Sequence, residues 1–102
     1  MTLATVEQLV DALTMALGEP LRRKEYIARF QAIVWEGLDP GLPGNVRDIL
    51  RDLAYDLDFY EPRRDIRSED VALYGHERVE SEIREAFEKL RAAGVRAPTG
   101  GS

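Results

Sequence analysis

Apolar residues recur at helical spacing in four separate stretches of the chain. Val6, Leu9, Val10, Leu13 and Leu17 form the first. Thr5, with Gln8 three residues on, reads as a capping box that opens this helix, and Gly18 reads as its stop. Pro20 suits the first turn of a second helix, whose apolar positions are Tyr26, Ile27, Phe30, Ile33, Val34 and Leu38, with Trp35 beside them. Gly37, Pro40, Gly41, Pro43 and Gly44 then break the periodicity and predict a loop stiffened by its prolines. Asn45 is a good N-cap for a third helix, with Val46, Ile49, Leu50, Leu53, Leu57 and Tyr60 as its buried stripe and Pro62 just past its end. Residues 61–74 are polar and charged, anchored by Ile66, Val71 and Leu73. They predict a long loop with one short helical turn around Glu69 to Leu73. A fourth helix runs from His76 to Ala93 on Val79, Ile83, Ala86, Phe87 and Leu90, and Gly94 stops it. No segment alternates with period two. The pattern predicts an all-α, antiparallel four-helix bundle with a long charged loop between helices 3 and 4. Residues 1–96 make a single helical domain and 97–102 a flexible tail.

Composition narrows the function. With 102 residues, 44% of them apolar, the chain can bury one core but has no room for a second. No apolar run reaches the roughly 18 residues of a membrane span. Met1 to Val10 lacks the basic-then-apolar order of a secretory signal, so a cytoplasmic protein with no membrane partner is expected. The chain has no cysteine, which removes disulfides, thiolate metal sites and a cysteine nucleophile. The net charge of −5 argues against nucleic acid as a direct ligand. That charge is unevenly placed. Residues 1–35 and 71–102 are each neutral, while residues 36–70 hold ten acids against five bases. An excess confined to the middle third points to a partner of opposite sign.

Asp48, Asp52 and Asp56 lie at i, i+4 and i+8, on one side of the third helix and away from its apolar stripe. Like charges at this spacing cost about 0.2–0.5 kcal/mol per pair, and Asp56 stands near the helix end where the dipole disfavours an acid. Asp58 and Glu61 carry the charge over the helix end, and Asp65, Glu69 and Asp70 carry it into the loop. The fourth helix is different. There Arg78 with Glu82, Glu80 with Arg84, Arg84 with Glu88 and Glu85 with Lys89 are all spaced to compensate one another. The alternative to a binding role for the acidic face is a solvated surface that keeps a small protein dispersed.

Catalytic chemistry finds few candidates. His76 and Glu80, one turn apart, are two ligands without a third, and a surface histidine is the simpler reading. Ser68 and Ser81 lack a histidine and an acid arranged to activate them. Gly41 and Gly44 do not make a phosphate loop. Arg22, Arg23 and Lys24 read as a solvated helix turn, and Tyr26 and Trp35 as core or half-core. Tyr55 and Phe59 lie off the apolar stripe and close to the acids, where they are either interface anchors or a second buried face. No cofactor, metal or enzymatic activity is expected.

The stretch Asp58-Phe59-Tyr60-Glu61-Pro62, an acid-rich loop, Tyr74-Gly75, and a helix carrying Val79, Glu82-Ile83-Arg84 and Phe87-Glu88-Lys89-Leu90 resemble the colicin D immunity protein family. The resemblance covers about residues 46–91; before it, only the order of helices and the aromatic second helix (Tyr26, Phe30) agree. The sequence departs from the family after Pro62, where Arg63 replaces an acid and Arg64 follows. The resemblance implies a four-helix bundle that protects a bacterium from its own toxin, a ribonuclease that cuts the anticodon loop of transfer RNA. It implies that carboxylates stand in for RNA phosphates in the toxin's basic cleft. Asp58 and Glu61 match the acids around the family's Glu-Pro motif, and Asp65 matches one in the following loop.

The residue pattern and the resemblance together predict an immunity protein, not an enzyme, that pairs one-to-one with a basic nuclease toxin domain. Its partner-binding residues are expected to be Asp48, Asp52, Asp56, Asp58, Glu61 and Asp65, with Tyr55 or Phe59 as an aromatic anchor. A contact-dependent inhibition system could use the same scaffold. The alternatives are immunity to a DNase-type bacteriocin and a small helical adaptor for a partner without nuclease activity.

Overall fold

The structure, a computed structural model, describes residues 6–38, 40–68 and 73–98. Four long helices carry it: α1 (Val6–Gly18), α2 (Arg23–Glu36), α3 (Gly44–Asp56) and α5 (His76–Ala92), with a single turn, α4 (Arg64–Arg67), between the last two. Short 3₁₀ turns, Pro20–Arg22 and Leu57–Phe59, precede α2 and extend α3. No strand occurs among the described residues, and the isolated bridge Tyr60–Tyr74 is the extended pairing there. This is the all-α four-helix bundle that the periodicity predicts.

Neighbouring helices run antiparallel, as cross-helix pairs show. Lys24, Gln31 and Trp35 of α2 meet Glu61, Asp58 and Tyr55, in reverse sequence order. Arg23, beside the end of α1, reaches His76 and Glu80 at the start of α5, while Val6 and Val10 lie along Val95 and Ala97 beyond its end. Tyr74, just before α5, bonds Asp56 at the end of α3. The helices meet on one core, with Leu9, Leu13, Phe30, Leu50, Ile83, Phe87 and Leu90 fully enclosed. Burying side chains of this size contributes about 1.5–3 kcal/mol each and supplies the drive for folding.

Element ends differ in detail from the sequence reading. Pro20 opens a 3₁₀ turn rather than α2 itself, and α2 begins at Arg23. The helix α3 begins at Gly44, so Asn45 lies inside its first turn, where its side-chain oxygen accepts from the Val46 N–H at 3.0 Å. Gly37 (φ +122°) and Gly94 (φ +89°) take up the positive φ that lets the chain leave α2 and α5. In the connection between α3 and α5 the described helical turn is Arg64–Arg67; most of the expected turn at Glu69–Leu73, like Thr5 and residues 99–102 of the expected tail, lies outside the described residues.

One sequence reading is overturned in the core. Arg23 is not a solvated residue; it is completely buried. Its Nε donates to the Ala16 carbonyl at 2.7 Å and its Nη2 to the Leu17 carbonyl at 3.1 Å, closing two carbonyls left open at the end of α1. Nη2 also bonds Glu80 at 2.8 Å, and Nη1 bonds Nδ1 of His76 at 2.6 Å. Because guanidinium only donates, Nδ1 accepts and the ring proton sits on Nε2. His76 and Glu80 thus form one side of a clamp on an arginine. Glu80 pairs with Arg23 rather than with Arg84.

Candidate partner-binding site

Helix α3 turns Val46, Leu50, Leu53 and Ala54 inward, which leaves Asp48, Asp52 and Tyr55 facing out. Two surfaces flank it. On the α5 side, Asp52 and Asp56 line an open groove of about 240 Å³ together with Glu82, Glu85 and Lys89 over a floor of Ile49, Leu53 and Ala86. Asp48 continues the row one turn earlier and is exposed. Glu82 pairs with Arg78 at 3.5 Å and Glu85 with Lys89 at 3.6 Å, as their spacing predicts, whereas Asp52 forms no ion pair among the described residues. Asp56 is half-buried and accepts the Tyr74 hydroxyl at 2.8 Å on Oδ2; its backbone carbonyl accepts from the same hydroxyl. Burial, then the hydrogen bond to Asp56, raises the Tyr74 hydroxyl well above its ordinary 10.0.

On the α2 side the surface is aromatic. Trp35 is 47% exposed and packs at a tilt against Tyr55, itself 63% exposed, with ring centroids 4.9 Å apart and ring planes at 57°. Of the two residues read as core or half-core, Tyr26 is buried and Trp35 lies half out of the core. The buried stripe of α2 runs through Ile27, Phe30 and Val34, and Trp35 falls about 100° round from Val34. Gln31, one turn before Trp35, donates to the Ala54 carbonyl and to Asp58 Oδ1, both at 2.9 Å. Phe59, 45% exposed, follows Asp58.

The expected site residues therefore do not share one face. Asp48, Asp52 and Asp56 follow the α5 side; Tyr55 and Asp58 follow the α2 side. Glu61 belongs to neither. It is only 8% exposed and lies 3.5 Å from Lys24 Nζ. Its backbone N–H bonds the Tyr74 carbonyl at 2.8 Å, while the Tyr74 N–H bonds the Phe59 carbonyl at 2.9 Å. This bridge draws the chain inward and turns the carboxylate toward the first turn of α2. Asp65 is exposed on α4 and bonds Arg63 at 3.0 Å. The sequence reading missed the groove contribution of Glu82 and Glu85, which it treated as compensated within their own helix.

No group of three or more metal-ligating side chains occurs among the described residues, and no helix there is long and apolar enough to cross a membrane. Comparison with protein-family models, curated proteins and solved structures finds no match to this chain.

Proposed function

We propose that this chain is an immunity protein of the bacterial cytoplasm that neutralises a ribonuclease toxin by covering its basic cleft with carboxylates in place of RNA phosphates. The observation that carries this reading is the row Asp48, Asp52 and Asp56, extended across the α3/α5 groove by Glu82 and Glu85. Successive acids on α3 rise about 6 Å along a rigid helix. Mutual repulsion along the row costs the fold stability, whereas the same charge attracts a cationic protein and speeds encounter toward about 10⁸–10⁹ M⁻¹s⁻¹ at low salt. Like-charge rejection of other partners adds selectivity. The resemblance in residues 46–91 supports the same class of partner.

The test is co-expression with a toxin domain encoded beside this gene, scoring growth rescue and transfer-RNA integrity. Rescue is expected. A purified Asp48→Lys/Asp52→Lys double variant, both sites being exposed, is expected to keep its helical circular dichroism and lose binding to that domain at physiological salt. Undiminished binding sinks the acidic-row assignment; failure of the unaltered protein to rescue sinks the immunity reading.

A further inference from the structure

We infer that the α2/α3 seam is the anchor point of the partner interface, and that it receives an arginine side chain of the partner between Trp35, Tyr55 and Asp58. The inference rests on the proposed reading only in taking the partner to be a basic protein.

The seam combines an exposed aromatic pair with one carboxylate, Asp58, held by Gln31. Trp35 and Tyr55 come from different helices yet touch, and about half or more of each side chain faces solvent. The core closes beneath them without their help, since Val34 and Ala54 are buried. Exposed tryptophan and tyrosine in contact are the side chains that most often dominate a protein interface. The seam is also held in place: Gln31 ties α2 to the Ala54 carbonyl and to Asp58. A preorganised surface loses little freedom on binding.

The charges select the occupant. Glu36 follows Trp35 directly and Asp58 stands three residues after Tyr55, while Asp52 lies toward the α5 groove; Arg47 and Arg51 are the bases on the same strip of α3. A guanidinium offers a flat face to an aromatic ring and a fork of donors to a carboxylate, so a ring pair beside a carboxylate suits arginine better than lysine. The chain repeats this chemistry within itself. Arg22 and Arg29 lie 5.2 and 5.5 Å from the Tyr26 ring centroid, and Arg78 lies 4.8 Å from that of Tyr74. Among the described residues, none of its own cations covers Trp35 or Tyr55.

Trp35 is the only tryptophan, so its fluorescence reports the seam directly. Titration with hexa-arginine is expected to change Trp35 emission at concentrations at least about three-fold lower than hexa-lysine, and Tyr55→Ala or Asp58→Asn is expected to erase that difference. In binding to the toxin domain, Trp35→Ala is expected to lower affinity about 30-fold or more. Met15→Ala, at an exposed apolar site on α1, is expected to leave it unchanged. Equal responses to the two peptides, or a Trp35→Ala variant that binds the toxin domain normally, overturn the inference while leaving the immunity reading standing. An arginine-selective response in a protein that does not bind the toxin domain supports the seam and removes the immunity reading.

Discussion

Four hydrogen bonds tie the Arg23 guanidinium to the end of α1 and the start of α5. A buried cation without its partners is costly, and the partners without their cation leave buried carbonyls open. Arg23→Ala is expected to destabilise the protein by about 3 kcal/mol, the lower end of the range for a broken buried pair because Glu80 is partly solvated. Urea unfolding followed by circular dichroism measures it, and a loss below about 1 kcal/mol refutes the clamp. Lysine does not substitute, since one ammonium cannot span two carbonyls, an imidazole and a carboxylate. Tyr74 makes a pH prediction. Its hydroxyl holds its proton in the fold beyond its ordinary value of 10.0, whereas the unfolded chain releases it near that value. The stabilisation is therefore complete below about pH 10 and falls as pH rises beyond it. Tyr74→Phe is expected to flatten the alkaline decline of the urea midpoint; an unchanged slope between pH 9 and 11 removes this account. The periodicity of the chain marks neither residue's role, because an arginine beside Arg22 and Lys24 looks like any solvated turn.

At the scale of elements, α3 carries a conflict between stability and charge. Its inner face is regular, and its extension through Leu57–Phe59 keeps Tyr55, Asp58 and Phe59 on the outside. Its outer acids stand one turn apart and repel. Asp52 lies between the other two, so Asp52→Asn is expected to raise stability by about 0.5 kcal/mol while weakening partner binding. A paired measurement of thermal midpoint and affinity checks it; a variant that loses stability shows that Asp52 has a structural role the groove does not reveal. The helix α5 shows how far sequence spacing reaches. Two of its four expected internal pairs form as spaced, Arg78–Glu82 and Glu85–Lys89. Glu80 departs from its expected pairing because a buried guanidinium from another helix is a stronger partner than a solvated Arg84.

On the scale of the whole molecule, the bundle spreads the described acids of the middle third over separate environments: a groove against α5, a seam against α2, the junction where a buried Glu61 meets Lys24, and the exposed pair of Asp65 with Arg63. The sequence by itself determined the helices, their inward stripes, the turns at Gly37 and Gly94, and the concentration of negative charge. Each of these follows from local spacing and backbone preference along one chain. Only the tertiary structure decided which outward residues become neighbours. The angular position of Trp35 leaves its burial open until α3 packs beside α2, and Glu61 looks exposed until the Tyr60–Tyr74 bridge folds it inward. Burial and pairing of polar side chains depend on groups that lie tens of residues away in the chain, so helical periodicity cannot reach them.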